Sequence, residues 1–185
     1  MRREEIEHAA LRLFADRPIG EVSVRDIAAA ARCGESGLYR HMTSKEELAA
    51  RIFRKTYAAL AADLFDALPA DGTLEDNIAA LAAHVYHACD ADPVRWRFLV
   101  LRQYDGLPVI EDDDPTPTKI VWQVIQTAME RGEIPPQALD SATAFVTGAI
   151  LQPIVFHVYG QLSGPLVPRA GRIAAMTVAG LSAPV

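Results

Sequence analysis

Residues 22–48 constrain this chain more than any other segment. They read Val-Ser-Val-Arg-Asp-Ile-Ala-Ala-Ala-Ala-Arg-Cys-Gly-Glu-Ser-Gly-Leu-Tyr-Arg-His-Met-Thr-Ser-Lys-Glu-Glu-Leu. Ser23 and Asp26 make the Ser-x-x-Asp pattern of a capped helix start, and Ile27, Ala28 and Ala31 supply a buried face. Arg32-Cys33-Gly34 is a three-residue turn. A second short helix follows over 35–42, and Ser44-Lys45-Glu46-Glu47 opens a third with another capping box. Two short helices joined this tightly can present the second of them to a DNA major groove.

The flanking sequence is helical throughout. Ile6, Ala9, Ala10, Leu13 and Phe14 recur at three/four spacing and predict a helix over 2–16, ended before Pro18. Leu48, Ile52, Phe53, Thr56, Leu60 and Leu64 form the inward row of a long helix over 44–68. Pro69 to Gly72 is a loop, and further helices are expected at 74–90, 93–105, 117–131, 136–160 and 166–181. Residues 106–117 carry three prolines and four consecutive acids, Glu111 to Asp114, and read as a mobile loop. No strand-like alternation or internal repeat occurs. The expected fold is all-α with about nine helices. A three-helix helix-turn-helix domain occupies 1–48 and a helical domain 49–185, with the 44–68 helix linking them.

The net charge of −6 is unevenly placed. Residues 1–56 hold 11 Lys/Arg against 9 Asp/Glu, and the remainder 7 against 15. A weakly basic head on an acidic body suits phosphate contact at one end. Cys33 and Cys89 cannot build a disulfide framework or a zinc module, so a reducing compartment is expected. The first residues lack the apolar stretch of a signal peptide. His84 and His87 share a helix, but no third convergent ligand accompanies them, so neither metal nor cofactor is expected. No Ser/His/Asp, Cys/His or glycine-rich phosphate signature supports catalysis.

Several residues of the 22–48 segment carry a resemblance. Ile27-Ala28-x-x-Ala31, Leu38-Tyr39-Arg40-His41 and Ser44-Lys45-Glu46-x-Leu48 resemble the DNA-binding module of the TetR family of bacterial transcriptional regulators. The resemblance implies phosphate contacts from Arg25, Tyr39, His41 and Lys45 and base contacts from the Glu35–Arg40 stretch, including Ser36 and Gly37. It also implies a double-stranded operator, a homodimer, a small-molecule effector and a cytoplasmic, nucleoid-associated protein. The turn departs from the family's usual Ala-Gly-Val-Ser. Arg32 stands where a glycine often adopts positive φ, at a cost on the order of 1 kcal/mol. Glu35 opposes phosphate but can accept from cytosine N4.

The body offers an apolar cavity or a pairing face. Trp96, Tyr104, Trp122, Phe145 and Phe156 are candidate walls of an effector pocket, with Arg102, Gln126 and Gln152 as polar handles. Residues 143–160 are apolar almost all round. Their length would allow a membrane span, but Gln152, Pro153 and His157 argue against lipid. A dimer face made of Ile154, Val155 and Val158 with Ile173, Thr177, Val178 and Leu181 fits better. Pro153 predicts a kink. The rival reading is a helical small-molecule-binding protein or enzyme without DNA binding.

Overall fold

The computed structural model describes residues 3–183, and among these every regular element is helical. Ten α-helices follow in order: α1 (Arg3–Asp16), α2 (Val24–Ala30), α3 (Glu35–Leu38), α4 (Lys45–Ala67), α5 (Leu74–Ala91), α6 (Pro93–Leu101), α7 (Gln103–Gly106), α8 (Pro117–Glu130), α9 (Leu139–Val158) and α10 (Ala170–Leu181). Most boundaries fall within a few residues of the sequence expectation. The helix expected over 93–105 breaks into α6 and α7 at Arg102.

The chain divides into two compact units, one of Met1–Tyr57 with Val94–Asp114 and one of Ala58–Pro93 with Pro115–Val185. Residues 94–114, expected with the body, therefore pack with the head. Ile6, Phe14, Ile27, Leu38, Leu48, Phe53 and Phe98 are the fully buried centre of the first unit. Phe53 stacks on Tyr57 at 5.5 Å and meets Phe98 edge-on at 6.1 Å. Gly106 lies flat against the Phe53 ring, and a Cβ there would come within 2.3 Å of it. This is a close approach that only glycine permits.

The acidic segment after α7 is not the free loop its composition suggested. Arg54 on α4 donates from Nη1 to Glu111 at 2.9 Å and from Nη2 to Asp114 at 2.9 Å, while its Nε lies 2.7 Å from the second Asp114 oxygen. Two parallel bonds to one carboxylate are the strong geometry for a guanidinium. Arg102 donates to the Phe14 carbonyl at 2.8 Å, and Arg97 pairs with Asp16 at 3.2 Å, so 94–114 is also fastened to the end of α1.

In the second unit, α5 presents Ile78, Leu81, Ala82, Val85 and Tyr86 inward, and α8, α9 and α10 pack with it. Thr73 accepts from the Asp76 amide and Asp76 from the Thr73 amide, a complete capping box. Asp90 accepts from the amides of Leu166 and Val167 at 3.0 Å, closing the approach to α10. α9 runs through Pro153 without interruption, so the proline does not end the helix. Burial pushes the Cys89 thiol up to about 12, which keeps it protonated and removes the form that binds metal. No group of three His, Cys, Asp or Glu placed to hold a metal occurs among the described residues.

Candidate nucleic-acid interface

The site is built by two capping devices and one buried leucine. Ser23 Oγ accepts from the Asp26 amide at 3.1 Å and the Asp26 carboxylate from the Ser23 amide at 2.9 Å, which starts α2. Those bonds, followed by the Arg17 charge, hold the Asp26 carboxyl below its usual range. α2 ends in a Schellman closure: the Arg32 amide bonds the Ala29 carbonyl at 3.1 Å and the Cys33 amide the Ala28 carbonyl at 2.9 Å. That closure needs a left-handed residue, and Arg32 supplies it with φ 55°. The same closure ends α8 and α9, where Gly132 and Gly160 take the left-handed position.

α3 is one turn long, shorter than the 35–42 helix the sequence suggested. Gly34 offers no side-chain cap and Gly37 weakens the interior, by about 1 kcal/mol against alanine. The chain continues as turns, with the His41 and Met42 amides both bonded to the Leu38 carbonyl at 2.7 and 3.1 Å. Leu38 is completely buried and Met42 nearly so. These two anchors leave Glu35, Ser36, Tyr39 and Arg40 exposed, with Tyr39 at 58%. Gly37 and His41 are half-buried.

Two of the residues expected at phosphates also make bonds within the chain. Lys45 Nζ donates to the carbonyls of Gly20 at 2.9 Å and Val22 at 2.8 Å. Its ammonium thus fastens the segment before α2 to the start of α4. The sequence signal for this was weak, because the acceptors are backbone groups 23 and 25 residues away. Arg25 Nε donates to Glu35 at 3.1 Å, joining the first turns of α2 and α3. Ser44 Oγ accepts from the Glu47 amide at 3.0 Å, while the Glu47 carboxylate reaches back to the Thr43 amide at 3.4 Å.

Behind this edge lies a charge network that sequence reasoning missed. Glu7 on α1 is 8% exposed and accepts from Arg51 at 3.3 Å and Lys55 at 2.9 Å, with Arg3 at 3.2 Å. Arg51 also pairs with Glu47 and donates to the His41 carbonyl at 3.0 Å. Burial alone would raise the Glu7 pKa. The bond and charge of Lys55, then those of Arg51, outweigh it and hold the carboxyl below its usual range. The available signal was a glutamate on the apolar side of the first helix, next to Ile6.

The residues expected to line an effector pocket fall in both units. In the first unit, Trp96 is core, the Arg102 Nε is spent on Phe14, and Tyr104 is 86% exposed. In the second, Trp122, Phe145 and Phe156 are partly exposed, Gln126 donates to Glu130 at 2.9 Å, and Gln152 faces outward. Of the expected dimer face, Ile154, Thr177 and Leu181 are buried within their own chain, while Val155, Val158, Ile173 and Val178 are half-buried. The exposed stripe lies one helical step round. It comprises Phe145, Gly148, Gln152 and Phe156 on α9 and Ala175, Met176 and Ala179 on α10, and Phe145 seats against Gly180.

A capped helix, a tight turn and an anchored second helix with an exposed polar edge define a helix-turn-helix DNA-binding head of a transcriptional regulator. Residues 6–52 match the family described as bacterial regulatory proteins, tetR family. No curated protein matches the sequence. Among solved structures the chain is similar to the transcriptional regulator FadR from Bacillus subtilis in complex with stearoyl-CoA. Identity is 15%, over 97% of this chain and 99% of that one, with a TM-score of 0.85. The fatty acid degradation regulator FadR from Bacillus halodurans is 14% identical over 97% and 100% of the two chains, with a TM-score of 0.84. The ketosteroid transcriptional regulator KstR2 of Mycobacterium tuberculosis is 21% identical over 100% and 96%, with a TM-score of 0.74.

Proposed function

We propose that this chain is a cytoplasmic, non-enzymatic repressor that binds a palindromic operator as a homodimer and is released by a small apolar or amphipathic effector. The observation that carries the reading is the exposed edge of Ser36, Tyr39 and Arg40 over a buried Leu38, inside a segment that matches the family. Arg25, Tyr39 and His41 contact phosphates in this reading, and the Glu35–Arg40 stretch meets base edges. Lys45 acts through the open amides of its own helix start, which its ammonium holds against the Gly20–Val22 segment.

Pairing is supported by α9, which is long and apolar enough to cross a membrane yet carries Gln152 on its exposed stripe beside Phe145 and Phe156. A second copy covering α9 and α10 buries that stripe in a four-helix contact. An effector is supported by the FadR structure with stearoyl-CoA. It is also supported by four buried polar atoms of the second unit, Asn77 Oδ1, Tyr86 Oη, Thr147 Oγ1 and Arg169 Nε, which lack partners among the described residues. An effector that favours one separation of the two heads weakens operator binding by its differential affinity for the two states.

Selection of bound sequences from a random DNA pool tests the reading. The expected result is a palindromic consensus with half-sites about one helical turn apart. A pool that stays random overturns the reading.

A further inference from the structure

The left-handed Arg32 is an outlier with a readable purpose. Among the described residues three helices end in the same closure, and two of them use glycine for its left-handed residue. At the third, in the turn that leads to α3, a long cation occupies the strained position. Strain of this kind clusters at active and ligand-binding sites. Arg32 is exposed, and its guanidinium makes no ion pair or hydrogen bond among the described residues. It shares a cleft between α1 and the end of α2 with His8 and Arg12, and Arg12 is likewise exposed and unpaired. Of the two carboxylates on that cleft, Asp16 is paired with Arg97 and Glu5 is engaged within the chain.

Resting on the DNA-binding reading above, we propose that Arg32 is a phosphate-contacting residue. With Arg12 beside it, it forms a cationic clamp on the backbone bordering the groove that α3 enters. The reach is sufficient. Arg32 precedes Glu35 by three residues, so their Cα atoms are at most about 11 Å apart. The major groove is about 12 Å wide, which brings its bordering phosphates within range of an arginine side chain. The contact adds affinity on any sequence, because phosphates carry no base identity.

The test uses the full chain, its selected operator and an unrelated duplex, with binding followed across salt concentrations and thermal melting measured alongside. Arg32→Gly relieves the left-handed strain and removes the charge. It should raise the melting temperature while weakening both DNAs by about 3- to 10-fold, and the salt slope should fall by about 0.9 per head. Arg32→Ala should weaken binding equally with no gain in melting temperature, and Arg32→Lys should bind within about twofold of the natural chain by the same phosphate count. If R32G and R32A keep natural affinity and slope, the clamp is overturned and the parent reading stands. If the natural chain selects no DNA, the parent reading fails and the clamp with it.

Discussion

Glu7 shows how much one side chain decides. Its carboxylate joins α1 to Arg51, and Arg51 in turn holds the carbonyl that follows α3. Glu7→Ala removes the shared acceptor of Arg51 and Lys55 and should cost about 1–3 kcal/mol, since both cations stay partly solvated. Chemical denaturation measures this. The pH sense follows from the depressed carboxyl. Its stabilisation is fully present above the unfolded value of about 4.3 and is lost as pH falls through the lower folded value. The natural chain should therefore lose stability below about pH 4.3, and Glu7→Gln should flatten that part of the profile. Lys45→Ala should cost about 1–2 kcal/mol, because two carbonyls lose a charged donor.

At the scale of elements, short helices depend on their ends. α2 has seven residues and α3 four, so neither could persist alone in water. Ser23→Ala breaks the capping box of α2 and should cost about 1 kcal/mol. Leu38→Ala removes the anchor of α3 and should cost about 2–4 kcal/mol, with DNA binding lost in step. With Leu38 gone, Met42 alone cannot hold the exposed edge in place. If denaturation midpoints of these two variants match the natural chain, the packing account of the head is wrong.

For the whole molecule, the decisive quantity is mass in solution. Sedimentation should give twice the chain mass of 20.1 kDa. Phe145→Arg together with Phe156→Asp, both on the exposed stripe of α9, should yield a monomer that keeps its helicity and binds operator far more weakly. The buried Ile154 and Thr177 make poor probes of pairing, because their replacement damages the fold of the single chain.

The head was legible from local sequence, because caps, turn residues and apolar spacing act over three or four positions. Ser23 with Asp26, Leu38 inward and Arg32 at the strained turn all follow from that range. Helix periodicity likewise identified α9 and α10 as elements, but not which side of each is covered. Ile154 and Phe156 look equally apolar in sequence and differ in burial. Tertiary structure alone placed Lys45 on the Gly20 and Val22 carbonyls, set Glu7 against Arg51 and Lys55, and fastened the 106–114 segment to Arg54. Each of these joins groups more than 20 residues apart. The physical reason is that a charge or amide satisfies itself with whatever partner the fold brings near, and spacing along the chain carries no record of that partner.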